Sequence, residues 1–327
     1  MHILIDTDPG IDDAIAVALA VASPEFQIAA ITTTYGNTTV TRATRNAREL
    51  LARLGVREKI PVYAGADRPL VRPAEVAPDI HGEHGLGYAA YAFEEEASAH
   101  VVEAPGVILR TAAEASEPIT LICLGPLTNV ALALALDRPL LQAQVAEIVL
   151  MGGAPNGNGN ITPVSEFNFW CDPEAAQIVL QSGIPIRMVG LNVTRHMVLT
   201  RQAVDHLAQS TDPALQWWGE MLRFNAEFHH SHEGLEGCII HDPLAMALAL
   251  APEFGTTQPM YLEVARHDDL TRGQTVCDRY GLLGEAPNAD VYVEAAWRDV
   301  LQLVNGRVFG GAIPPQEIAR GAALGLM

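Results

Sequence analysis

Apolar and polar positions along this chain switch repeatedly between two patterns: short unbroken apolar runs, and longer stretches with one apolar face. Residues 3–5 are such a run and pass into a helical pattern over 14–20. Residues 26–34 read as a second strand, and 41–54 as an amphipathic helix that Gly55 ends. A third short strand is expected at 61–64, a helix at 106–115 and a buried strand at 119–124. A helix over 130–136 and a fifth strand over 146–151 follow. Asp172-Pro173 opens another helix, with Asp as cap and Pro at its first position. A sixth strand is expected over 185–193, then one helical stretch with a wide polar face from 200 to 232. His241-Asp242-Pro243 introduces an apolar helix over 244–250, with Asp242 placed as its cap. Residues 260–266, 274–277 and 289–294 read as three strands, a hairpin and an edge, before a closing helix over 297–304. This alternation predicts an α/β fold: an open, mostly parallel, Rossmann-like sheet flanked by helices, with a small β extension near the C-terminus. No internal repeat or Pro/Ser linker divides the chain, so 1–327 is expected to be a single domain, with 308–327 as a possible extra tail.

Bulk properties narrow the function. A hydrophobic content of 49% supports a large core. No apolar window of about 18 residues occurs, so no membrane span is expected. The N-terminus runs straight into a strand, without a basic or cleavable apolar segment. Cys123, Cys171, Cys238 and Cys277 are scattered and form no CxxC. Both features predict a cytoplasmic protein with reduced thiols. The formal charge of −19, from 39 acids against 20 bases, argues against nucleic acids and anionic membranes as partners. Lys59 is the only lysine, and no GxxxxGK[ST] motif occurs, so lysine chemistry and Walker-type phosphate binding are not expected.

Chemistry concentrates at strand ends. The first strand runs into Asp6-Thr7-Asp8-Pro9-Gly10-Ile11-Asp12-Asp13, four carboxylates within eight residues. Single aspartates often cap turns and helices. Four together repel one another unless a cation neutralises them, and an oxygen-only set favours Ca²⁺ or Mg²⁺. Asn37, Leu124, Met151 and Asp242 also fall at strand ends, which converge on one edge of a parallel sheet, where ligands bind. Asn160, Glu166 and Asn168 supply amides and a carboxylate suited to a hydroxyl-rich ligand. The long loop over 66–86 contains His81-Gly82-Glu83-His84-Gly85; a loop of that length is usually functional or mobile. Taken singly, His81 and His241 are better explained as ordinary surface histidines.

The segment from Asp6 to Ala14 resembles the DxDPGxDDA signature of the inosine–uridine-preferring nucleoside hydrolases. Further blocks agree in order: Ile80-His81-Gly82, Gly125-Pro126-Leu127-Thr128-Asn129, Met151-Gly152-Gly153, Glu166-Phe167-Asn168 with Asp172-Pro173-Glu174, and His241-Asp242-Pro243-Leu244-Ala245. Together they span residues 3 to 250. The resemblance implies hydrolysis of the N-glycosidic bond of ribonucleosides, giving ribose and free base. It implies one Ca²⁺ held by Asp8, Asp13, Asp242 and the Leu124 carbonyl, with Asp8 also the general base toward a metal-activated water. Asp12, Asn37, Asn160, Glu166 and Asn168 would hold the ribose hydroxyls, with Met151 lining that pocket. His241 would assist the departing base, and His81 would lie near it. A homodimer or homotetramer is implied as well.

Elementary chemistry is consistent with those roles. Cleavage of a ribosyl N–C bond passes through an oxocarbenium-like state, as glycoside hydrolysis does. Surrounding carboxylates stabilise that charge, and a histidine titrating near neutral pH can protonate the leaving base. The chain departs from the family at Gly85-Leu86-Gly87-Tyr88, where relatives often carry Gly-Leu-Asp-Gly. Where relatives carry tyrosines over the base, it has Asn225, Phe228, His229 and His232. Residues 308–327 have no recognised counterpart and are expected to be an oligomer contact or frayed. These departures leave purine or pyrimidine preference open. Two other readings remain: a phosphatase using Asp6-x-Asp8, which wants a downstream lysine that Lys59 does not supply, and a non-catalytic nucleoside- or ribose-binding protein.

Overall fold

Strand β1 (His2–Thr7) is buried on both sides, with Ile3 and Ile5 packed into one apolar layer and Leu4 into the other. That two-residue alternation, apolar on both faces, belongs to a central strand of a parallel sheet. The computed structural model describes residues 1–91 and 101–324, with side chains through Gly321. β1 pairs in parallel with β2 (Gln27–Thr33) and with β4 (Ile119–Cys123). β3 (Val62–Ala64) lies outside β2, while β5 (Val145–Met151) and β6 (Ile186–Val189) continue beyond β4. β11 (Ala289–Ala295) adds in parallel to β6, then β9 (Gly255–Val264) and β10 (Thr275–Asp278) add antiparallel. The resulting order among the described residues is β10-β9-β11-β6-β5-β4-β1-β2-β3. The predicted fold class, including the small C-terminal β extension, is borne out.

The helices Ile11–Val21, Asp242–Leu250 and Trp297–Val308 share one apolar layer with Ile3 and Ile5. The helices Ala104–Glu114, Thr128–Gln144 and Pro173–Leu180 share the other with Leu4. Strand order reverses between β1 and β4, so the crevice beyond their carboxyl ends is where a doubly wound sheet binds ligands. Register fixes that edge: Asp6 pairs with Cys123, and Thr7 with Thr33. Asp8, Leu124 and the turn at Gly36-Asn37 therefore emerge at one level.

Several expected boundaries move. The sixth strand stops at Val189, and Leu191–Thr194 is a short helix entered through Gly190. The single helix expected over 200–232 is two, Arg201–Ala208 and Pro213–Glu233, the second restarted by the Asp212 cap and Pro213. A second small sheet joins β7 (Val198–Thr200) to β8 (Gly237–Ile239). Phe167–Cys171 forms a further short helix, capped by the Glu166 side chain. Asp242 does not cap its helix but begins it, because His241 occupies the cap position. Residues 308–321 are packed and not frayed: Phe309, Ile313 and Ile318 are buried, and the Thr200 hydroxyl donates to Glu317 at 2.7 Å. Residues 325–327 lie outside the described residues. No helix among the described residues is long and apolar enough to cross a membrane.

Candidate active site

The turn after β1 delivers its acids to the interior. Pro9 and Gly10 reverse the chain into the helix Ile11–Val21, and the Gly10 amide donates to Asp13 Oδ2 at 3.0 Å. Asp13 is held further by the Asn37 side-chain amide at 2.7 Å and by the Thr7 hydroxyl. Asp8 Oδ2 accepts the Asn37 backbone amide at 2.6 Å, while its Oδ1 is buried with no hydrogen-bond partner among the described residues. Glycine makes that fit possible. A Cβ on Gly36 would sit 2.0 Å from Asp8 Oδ2, and one on Gly125 2.5 Å from Oδ1. No other residue type fits at either position without moving Asp8.

Asp242, on the helix that follows β8, joins this group from the opposite end of the chain. One oxygen each from Asp12, Asp13 and Asp242 lies within 4.8 Å of the others, an arrangement able to hold a metal ion. Asp8 stands beside that triple rather than within it. Burial raises the pKa of Asp8 and Asp242 well above the ordinary carboxylate range, and the neighbouring aspartates raise both further. Asp12 and Asp13 are raised as well, first by burial. Four buried carboxyls that resist ionising together, with one orphaned oxygen and no nitrogen or sulfur donor in the triple, suit a hard divalent cation.

The adjoining wall carries the amides. Asn168 donates to the Leu124 carbonyl at 2.8 Å and to the Met151 carbonyl at 3.2 Å, joining the ends of β4 and β5. The Glu166 carboxylate accepts the backbone amides of Gly153, Asn168 and Phe169 at 2.8 to 3.0 Å; burial raises its pKa and these three donors counter only part of that rise. Asn160 is exposed at the rim and accepts the Phe167 amide at 3.0 Å. All of the expected ligand-contacting residues, Asp12, Asn37, His81, Met151, Asn160, Glu166, Asn168 and His241, line one cavity together with Leu124 and Asp242.

His81 is buried and accepts the Ile11 amide on Nδ1 at 3.1 Å. His241 donates its backbone amide to Asp12 at 3.0 Å, and its Nδ1 lies 2.8 Å from the Thr194 hydroxyl. Burial, with His229, Arg195 and His81 nearby, lowers the pKa of His241 to about 3. This corrects the expectation of a histidine titrating near neutral pH: the free protein holds a neutral ring. Asn225, Phe228 and His229 from the helix Pro213–Glu233 also line the cavity. His232 is exposed and stacks on Phe228 with ring centroids 4.2 Å apart. Sequence reasoning missed Arg195 and Phe167 in the lining, and Thr194 behind His241. Their only signal was position, just past β6 and inside a matching motif.

A buried acidic cluster able to hold a cation, lined by side-chain amides, thus lies at the switch point of a doubly wound sheet, the place where such folds bind ligands. Residues 3–302 match the family model described as inosine-uridine preferring nucleoside hydrolase, and the chain belongs to that family. It is 41% identical over 309 residues to the pyrimidine-specific ribonucleoside hydrolase RihA of Citrobacter koseri, covering 94% of this chain and 98% of that protein. Among solved structures, the purine-preferring ribonucleoside hydrolase from Gardnerella vaginalis is similar with a TM-score of 0.87 and 30% identity, over 95% of this chain and 99% of that one. The plant nucleoside hydrolase PpNRh1 is similar with a TM-score of 0.87 and 32% identity, over 94% and 98% of the two chains. The chain is an N-ribosyl hydrolase, as its N-terminal motif implied, and nothing in these matches supports the phosphatase reading.

Proposed function

We propose that this protein hydrolyses ribonucleosides to ribose and free base in a Ca²⁺-dependent reaction, with Asp8 as general base. The observation that carries this reading is the convergence of Asp12, Asp13 and Asp242 beside the orphaned Oδ1 of Asp8. Asp8, Asp13, Asp242 and the Leu124 carbonyl would hold the ion. Once bound, Ca²⁺ supplies the charge that lets these acids ionise, orients a vicinal diol and lowers the pKa of water. Asp8 takes the proton that the attacking water loses. Asp12, Asn37, Asn160, Glu166 and Asn168 position the ribose hydroxyls, and Met151 closes that side of the sugar. The surrounding carboxylates stabilise the oxocarbenium-like charge on the ring.

His241 and His81 serve the leaving base. His241 enters as a neutral ring; a Thr194 hydroxyl donating to its Nδ1 leaves an N–H on Nε2 to offer the base. Pyrimidine ribonucleosides are the favoured substrates, because the relatives at 41% identity are named as pyrimidine-specific. We place the enzyme in the cytoplasm as a homodimer or homotetramer, on the scattered unpaired cysteines and the family resemblance. The test is ribose release from uridine, cytidine, inosine and adenosine, with Ca²⁺ and then with chelator. Chelator-sensitive release, fastest from uridine or cytidine, is expected. Ribose analogues that bind without any turnover would instead establish the non-catalytic binding protein.

A further inference from the structure

Three histidine rings, His81, His229 and His241, line the cavity, and each engages the protein through Nδ1. Among the described residues no group pairs with any of their Nε2 atoms, which leaves those atoms to the cavity. Two of the three proton states follow from the partners. The Ile11 amide can only donate, so His81 Nδ1 is bare and the ring proton sits on Nε2. The Asn225 carbonyl, 2.9 Å from His229 Nδ1, can only accept, so that proton sits on Nδ1. With its proton on Nδ1, the ring turns Nε2 to the cavity as the acceptor. The rings are near enough that charge on His229 disfavours protonation of both His81 and His241. His229 is buried, and the Pro213–Glu233 helix fixes the Asn225 carbonyl one turn before it.

We propose that His229 is a specificity-determining residue: its Nε2 accepts a hydrogen bond from a ring N–H or amino group of the nucleobase, opposite the Nε2–H donor of His81. This assignment rests on the hydrolase reading and deepens it. The wall then reads a donor next to an acceptor on the base edge, the arrangement of the N3–H and carbonyls of uracil or the N1–H and carbonyl of hypoxanthine. Sites built to hydrogen-bond a polar substrate group reject analogues that lack it far more strongly than apolar pockets reject a missing methylene.

The test compares kcat/KM for uridine, 3-methyluridine, inosine, 1-methylinosine and p-nitrophenyl β-ribofuranoside in wild type, His229→Phe and His229→Gln. For whichever parent nucleoside is cleaved faster, wild type should prefer it to its methylated form by about 10- to 100-fold. His229→Phe, which keeps the bulk and loses the acceptor, should erase that preference while changing p-nitrophenyl riboside cleavage by less than about threefold. His229→Gln, with an amide oxygen near the Nε2 position, should restore part of it. Discrimination that persists in His229→Phe, or an equal loss on all substrates, would overturn the assignment. Wild-type protein that opens no riboside at all, the p-nitrophenyl compound included, would overturn the hydrolase reading beneath it.

Discussion

The two sides of the cavity are built differently. The floor, at the ends of β1, β4 and β5, is held by short bonds between elements far apart in sequence: Asn37 to Asp8 and Asp13, Asn168 to Leu124 and Met151, His241 to Asp12. All of these partners except Asn168, which lies in the short helix Phe167–Cys171, sit on a strand end or on the first turn beyond it. The facing wall comes largely from one helix, Pro213–Glu233, and from the loop around His81. There, His229 bonds to its own helix, and the Phe228 ring packs against the rings of His229 and His232 from that same helix. A floor cross-linked through the sheet holds its acids and amides in fixed register. A wall carried by a single helix can change side chains without disturbing the sheet, and on the proposed function it is where base preference would vary.

That contrast can be broken at graded cost. The largest effect is expected at Asp8: Asp8→Asn should lower kcat by about a thousandfold while the far-UV spectrum is unchanged. Retention of more than about a tenth of the activity would remove Asp8 from the role of base. On the wall side of the same reaction, His241→Ala should slow uridine or inosine by roughly a hundredfold and p-nitrophenyl riboside by less than about threefold. Equal slowing of both would show that His241 acts on the sugar or the fold and not on the leaving base.

The next effect concerns stability. Asp6 is raised to about 6 by burial, and Asp8, Asp12, Asp13 and Asp242 are raised in the same direction. A carboxyl whose pKa is higher in the fold than in the unfolded chain binds more protons when folded, so stability falls as pH rises through that window. With chelator, Tm should therefore drop between about pH 4 and about pH 6.5, and added Ca²⁺ should raise it more at the upper end than at the lower. A chelated Tm that is flat or rising over that range would contradict the crowding of these acids. Asn129→Ala should cost about 2–3 kcal/mol in denaturant unfolding. It removes buried bonds to Asp6, to the Thr33 carbonyl and to the Ala66 amide. The smallest effect is expected on the wall: Phe228→Tyr should change the uridine-to-inosine ratio of kcat/KM by less than about tenfold and leave p-nitrophenyl riboside cleavage alone. A hundredfold loss on every substrate would place Phe228 with the floor instead.

Much of the floor could be read before any coordinates. Asp8, Asp12 and Asp13 share one turn whose Pro and Gly spacing allows little else, and Asp242 follows a motif that opens a helix. The strand ends were legible because unbroken apolar runs stop where polar turns begin. Less was legible where packing overrides pattern. The segment over 200–232 has helical periodicity throughout, yet it breaks because Asp212 caps a new helix with Pro213. Residues 190–193 look like the end of a strand, but Gly190 turns the chain into the helix Leu191–Thr194 that carries Thr194 to His241. The segment beyond Arg307 reads as an oligomer contact or a frayed tail, yet Ile318 is buried and Glu317 accepts from Thr200 at the end of β7.

The sequence by itself determined the α/β class, the placing of the acids at strand ends and the hydrolase family, because periodicity and short-range turn chemistry act over a few residues. Tertiary structure alone decided which oxygens converge, since Asp12 and Asp13 meet Asp242 only once the sheet has closed the long stretch of chain between them. It decided too that His241 is neutral, through burial and neighbours drawn from three other segments. And it set which nitrogen of His81 and of His229 carries the proton, a choice made by a single backbone donor or acceptor that no residue type in the chain announces.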